Sequence, residues 1–354
     1  MNFRNTSIFS SLFCVALLFS VSCSDSTEPG PSPDPSFDYS TILSEYANKV
    51  AVATYRDLRD EAAALNTAVQ TFSANQTQAN LDAAGTAWVA TRAPWEASEG
   101  FLFGPVDIQG LDPALDSWPV DRTQLDNVLA SSQPLTADFV ANGLGDALKG
   151  FHTIEFLIFR DGAVRQVSSL DAREVEYLAA ATQVLADDAE SLYDAWADGF
   201  ASEFINAGNP GSRYQTQFDA VLEIVDGISI ICDEVANGKI ADPFSQQDVT
   251  LVESQFSFNS LADFENNMRS CLNAYTGDYN GVTGTGLNEF VNQKDPTLDA
   301  RILSELNAAI ASIQAIPFPF RDNLDATSEI EAAQASINKI VGTMENDLRS
   351  LITN

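Results

Sequence analysis

From Tyr39 to Phe72, apolar residues fall at Tyr39, Ile42, Tyr46, Val50, Ala53, Leu58, Ala62, Leu65, Val69 and Phe72, mostly three or four positions apart. That spacing follows the 3.6-residue turn, so the segment must be a long amphipathic helix with one buried stripe. The period returns from about Gln78 to Gly100, where Pro94 lacks an N–H and predicts a kink or break. It returns again over roughly 170–206, 214–237, 245–275, 298–316 and 326–352. No segment alternates apolar and polar residues as a half-buried strand would. The expected fold is all-α.

A chain of 354 residues exceeds what one hydrophobic core usually organises. The stretch "NAGNPGSR", residues 206–213, punctuates two helical patterns with Gly, Pro and Asn and is the best internal boundary. The expected plan is two helical bundles, residues 37–207 and 213–354. "DPALD" at 112–116 and "DPTLD" at 295–299 each open a helical pattern, a short match that hints at an ancient duplication.

Ahead of the bundles, "MNFRNTSIFSSLFCVALLFSVSC" carries one charge, Arg4, followed by an apolar run too short to span a membrane comfortably. Residues 1–22 therefore read as a secretory signal peptide. Cleavage before Cys23 would leave that cysteine to be lipidated, as in bacterial lipoproteins; ordinary cleavage nearby, with Cys23 a free thiol, is the alternative. Residues 23–36 include "SDSTEPGPSPDPS", a Pro/Ser/Asp-rich stretch without apolar period that reads as a flexible tether. The expected location is the bacterial cell envelope, lipid-anchored to a membrane through Cys23 and either periplasm-facing or surface-exposed. Cys232 and Cys271 remain in the body of the chain, where an oxidising compartment would allow them to pair.

Without residues 1–22 the chain holds 17 basic against 50 acidic residues. So acidic a surface repels nucleic acid and attracts cations and basic partners, although solubility accounts for most of the charge. Nucleic-acid binding is excluded on this ground.

The single histidine, His152, lies in "LKGFHTIEFLIF", residues 148–159. Three positions apart on a helix, His152 and Glu155 can aim at one point, an arrangement by which helical bundles present metal ligands. On spacing alone, a His and Glu satisfied by each other inside a core is the better explanation. A second cluster changes that balance. "WVATRAPWEASEGFLFGP" places Glu96 and Glu99 three apart with Arg92 one turn earlier, among Trp88, Trp95, Phe101 and Phe103. Carboxylates among aromatics need a cation, a proton or hydrogen bonds. The loop that follows adds Asp107, Asp112, Asp116 and Asp121 beside Trp118 and Pro119.

These residues resemble the imelysin-like family. "GFHTIEF" matches its G-x-H-x-x-E signature, "WVATRAPWEASEGFLFGPVDIQGLDPALDSWPVD" looks like its other characteristic segment, and "FENNMRSCLNAYTGDYNGVTGTGLNEFV" at 264–291 is similar to its second-half pattern. The resemblance implies an all-α, two-bundle envelope protein with its site near the signature helix. It implies His152, Glu155, Glu96 and Glu99 as metal ligands, with Asp116 preferred to Asp112 as the fifth. Arg92 would hold a carboxylate in place, and Gly150 would permit close approach of a neighbouring helix.

Two functions follow from that resemblance. The first is metal binding in iron or haem acquisition, with an outer-membrane receptor or a haem or iron transporter as partner. One imidazole with several carboxylates suits iron foremost, with zinc and calcium as alternatives. Haem suits less well, since one histidine excludes bis-histidine ligation. The second is a metal-dependent peptidase, in which Glu155 would serve as general base beside His152. The chain lacks H-E-x-x-H and a second imidazole, and no G-x-S-x-G accompanies the histidine. Metal binding is therefore preferred to catalysis.

Overall fold

The computed structural model describes residues 37–353. The expected signal peptide, the tether and Cys23 lie outside the described residues. Nearly all regular structure is helical, and the exception is a small antiparallel ladder pairing Phe159 with Val164 and Arg160 with Ala163. The fold is all-α.

The stripe that begins at Tyr39 forms a helical run from Ser40 to Ala74, with a π-helical turn at Tyr46–Ala51 and α1 at Val52–Ala74. Tyr55, Leu58, Ala62, Leu65, Val69 and Phe72 are buried along it, as the period requires. Helix α2 (Gln78–Glu96) starts where the Thr77 hydroxyl accepts from the Asn80 amide, and it packs along α1. Pro94 does not break α2 in the middle. It sits in the last turn, the helix stops at Glu96, and a 3-10 turn at Glu99–Phe101 follows. Next come the short α3 (Leu111–Asp116), the signature helix α4 (Gly150–Ile158) and the long α5 (Ala172–Ala195), which covers both α1 and α4.

Beyond residue 213 the main helices are α6 (Gln217–Glu234), α7 (Ser260–Thr276), α8 (Pro296–Gln314) and α9 (Thr327–Gly342). The helix expected over 245–275 begins only at Ser260. Gln247, Ser254 and Phe258 have φ values of 53°, 49° and 65°, in the left-handed region that stops a helix. The likeness of "DPALD" and "DPTLD" does not extend to their geometry. Asp295 caps the 19-residue α8 by accepting from the Thr297 and Leu298 amides, whereas Asp112 lies inside the six-residue α3 behind Gly110.

One contiguous apolar cluster runs from Tyr39 to Ile352 through both halves of the chain. Helix α7 packs against α2, and both α6 and α7 pack against the Glu99–Phe101 turn. The approach of α6 is tight: a Cβ on Gly227 would stand 2.3 Å from the Gly100 carbonyl oxygen. The seam between the halves thus passes through the turn that carries Glu99. Within the second half, Cys232 on α6 and Cys271 on α7 face each other, buried and without a disulfide, with sulfurs 3.6 Å apart. Among the described residues no helix is long and apolar enough to cross a membrane.

Candidate cation site

Arg92 is the centre of the seam. Its guanidinium is wholly buried and contacts Glu96 one turn on, Asp116 at the end of α3, Glu253 at 3.0 Å and Asp263 at 3.6 Å. Two of those partners come from each half of the chain. Asp116 also accepts from the Trp95 indole at 2.6 Å, so both its oxygens are held from α2. Although Glu99 lies beyond the end of α2 rather than on its face, its carboxylate meets that of Glu96 at the Asn267 side chain. The Asn267 amide donates to Glu96 Oε2 at 2.6 Å and to Glu99 Oε2 at 3.0 Å.

His152 enters from α4, every residue of which is buried. Gly150 makes this possible. Its φ is +72°, and a Cβ there would stand 2.2 Å from the Leu115 carbonyl oxygen, so only glycine lets α4 lie against the end of α3. His152 Nε2 then reaches to 3.1 Å from Asp116 Oδ1 and 3.8 Å from Glu253 Oε1, without the alignment of a hydrogen bond. On the other side Nδ1 lies 3.3 Å from Glu155 Oε2. Glu155 Oε1 accepts three hydrogen bonds, from the Phe256 and Ser257 amides and the Ser257 hydroxyl, at 2.8–2.9 Å. Glu155 is therefore spent on orienting the imidazole and pinning a loop of the second half, and it does not face the other carboxylates. Asp112 stays half-buried at the rim, and Asp121 caps the helix at Arg122–Ala130, outside the cluster.

Four residues of the centre carried no signal of their own in the sequence: Lys239, Glu253, Asp263 and Asn267. Lys239, at the end of a π-helical turn after α6, puts its ammonium 2.7 Å from Glu99, 3.2 Å from Glu253 and 3.7 Å from Glu96. Asn267 falls within the second-half pattern "FENNMRSC", the one segment that pointed towards them.

A family model described as imelysin, and labelled a peptidase family, matches residues 51–345. The chain belongs to the imelysin family. It is 32% identical over 316 residues to iron-regulated protein A of Synechococcus elongatus, a match covering 87% of this chain and 85% of the relative. A solved structure of a candidate iron-regulated protein A precursor from Parabacteroides distasonis superposes with a TM-score of 0.82 at 28% identity, covering 91% of this chain and 97% of that one. An imelysin-like protein from Psychrobacter arcticum shares the fold, with a TM-score of 0.70 at 14% identity over 91% and 98% of the two chains.

In this imelysin chain the centre sets six carboxylates (Glu96, Glu99, Asp116, Glu155, Glu253 and Asp263) against Arg92, Lys239 and His152. Burial opposes charge, and the arrangement of neighbours decides where charge prevails. Against burial, Arg92 and His152 hold Asp116 well below the usual carboxylate range, and Lys239, His152 and Arg92 hold Glu253 low. Burial lifts Glu99 well above that range despite Lys239, and lifts Asp263 to about 6 despite Arg92. His152 overcomes burial through its carboxylate neighbours and is pushed well above an ordinary imidazole. Anions outnumber their internal cations, so protons or a further cation must make up the difference.

The residues fit a metal ion. Ligand atoms of Asp116, His152 and Glu253 lie within 4.8 Å of one another, as do those of Glu96, Glu99, Asp116 and Glu253. His152 Nε2 and Glu253 Oε2 are buried and have no hydrogen-bond partner among the described residues. One imidazole with several carboxylates is a donor set for iron, manganese or zinc.

Proposed function

We propose that this imelysin-family chain binds a metal ion, iron foremost, between His152, Asp116 and Glu253, with Glu96 and Glu99 alongside, as a component of iron acquisition. What carries the reading is the convergence of buried ligand atoms of Asp116, His152 and Glu253 within 4.8 Å of one another, with Glu96 and Glu99 beside them. The iron-regulated names of two relatives agree with it. A lipidated Cys23 would hold the protein at the cell envelope, where an outer-membrane receptor or transporter would exchange iron with it. Haem finds less support, because both nitrogens of the only histidine face carboxylates.

Peptidase activity is the weaker reading. Arg92, Glu96, Glu253 and Asp263 are 0% exposed and His152 2%, so a polypeptide has no access to them in this conformation. A small ion needs far less opening. The test is an anaerobic titration with Fe²⁺ of the chelator-free protein. Stoichiometric binding is expected, weakened on the order of 100-fold in His152→Ala and in Glu253→Gln, since each removes a ligand whose surroundings alone are worth ten- to hundredfold. No bound iron, or unchanged affinity in both variants, would sink the proposal.

A further inference from the structure

Lys239 is the component that a plain ion-binding site does not need. Its ammonium is 1% exposed and sits among Glu99, Glu253 and Glu96, three of the four carboxylates whose oxygens converge within 4.8 Å. That is the position of a small cation, filled by one tethered to the chain. We propose that Lys239 is a resident counter-ion that must leave these carboxylates before a metal ion can take them, so that loading is an exchange of cations. The inference rests on the metal-binding reading above and adds what that site does while unloaded.

The physical case starts from shared oxygens. Metal–carboxylate bonds are about 2.0–2.6 Å long. The oxygens that hold the ammonium, Glu99 Oε2 at 2.7 Å and Glu253 Oε1 at 3.2 Å, lose it when they turn to a metal ion, and the two positive charges would repel across a buried site. Arg92 is not the group that moves. It is gripped by Glu96, Asp116, Glu253 and Asp263 and has no exposed edge. Lys239 is held differently, through a flexible four-carbon stem at the last residue of a π-helical turn, directly after half-buried Gly238. The half-buried Trp118 ring has its centroid 5.4 Å from Nζ, an aromatic face that favours a cation. Half-buried Glu234 and Asp112 both feel the Lys239 charge and lie nearer the surface. Groups that favour a cation therefore surround the ammonium beyond the four converging carboxylates as well.

A purely structural ion pair would not show what remains around it. Permanent buried pairs are stable when every lone pair and proton has a partner. Here Glu253 Oε2 has no hydrogen-bond partner and His152 Nε2 meets Asp116 at 3.1 Å without the alignment of a hydrogen bond, while Lys239 lies against Glu253 Oε1. The site is closed and neutralised enough to fold, and still holds back ligand atoms for another cation.

Anaerobic Fe²⁺ titration of Lys239→Met against wild type tests this. With its competitor gone, the variant should bind Fe²⁺ about tenfold more tightly or better, because the binding-competent state no longer has to be cleared. Its iron-free form should melt below wild type and gain more from iron. A folded Lys239→Met that binds Fe²⁺ no more tightly than wild type would overturn the exchange and leave metal binding intact. If neither protein binds Fe²⁺, both readings fall. Should the variant not fold, wild-type protein is acetylated with an N-hydroxysuccinimide ester and mapped by mass spectrometry. Lys239 is expected to be protected without iron and modified with it. Continued protection in protein carrying stoichiometric Fe²⁺ would equally overturn the exchange.

Discussion

Asp263 is wholly buried, and burial lifts its carboxyl to about 6 against the pull of Arg92. From the unfolded value of about 4 up to that point, the folded protein keeps a proton that the unfolded chain has lost. Stability should therefore fall as pH rises from about 4 to about 6, by about 3 kcal/mol from this group. Asp116 and Glu253 act in the opposite sense: held low against burial by their cationic neighbours, they give stability that is complete above about pH 5 and lost as pH falls further. Burial also lifts Asp112 and Asp188 to about 6, so the comparison must isolate one group. Thermal melts of Asp263→Asn against wild type should show a flatter profile between pH 4 and 6, and parallel curves would refute the assignment. The same residue marks what the sequence left unread. His152, Glu96, Glu99, Asp116 and Arg92 were legible because short spacings and aromatic neighbours singled them out. Asp263, Glu253 and Lys239 sit in unremarkable local sequence, in "LADFE", "LVESQ" and "NGKIA". They become partners of Arg92 and Glu99 only through packing of residues more than a hundred positions apart.

Among the elements, the segment between Val252 and Ser260 shows why helical periodicity overreached. Its apolar residues keep a helix-like spacing, yet Ser254 and Phe258 are left-handed and the amides of Phe256 and Ser257 point at Glu155. A carboxylate on α4 outcompetes the next helical carbonyl for those donors. The long stripes of α1, α5 and α8 were legible because nothing outside them claims their amides. The local period did not foretell the π-helical turns at Tyr46–Ala51 and Val235–Lys239. If Glu155 is what holds the loop, Glu155→Ala should speed amide exchange at Phe256 and Ser257 far more than at the flanks of α7. Charge-assisted hydrogen bonds are worth about 1.5–3 kcal/mol each, so exchange there should rise by at least about tenfold. Unchanged protection at those two amides would mean that the loop is held by packing alone, for instance by Phe256 against Phe156 at 5.1 Å between ring centroids.

For the molecule as a whole, the charged centre lies where the two halves of the chain meet around one apolar core. Arg92 and Glu99 come from the first half, while Glu253, Asp263 and Lys239 come from the second. Parting the halves would strand each set, and removing one partner from a buried ion pair costs about 3–5 kcal/mol. Several pairs break together on separation, so neither half should remain folded after the other has melted. Thermal unfolding should then be a single transition, with the same midpoint by far-UV circular dichroism and by tryptophan fluorescence, whose reporters Trp88, Trp95, Trp118 and Trp196 all belong to the first half. Fe²⁺ at a hundredfold excess over its dissociation constant should raise that transition as a unit, adding about 2.7 kcal/mol. Two resolved transitions, with only the earlier or the later one moved by iron, would place the site within one bundle energetically and contradict a seam that locks both.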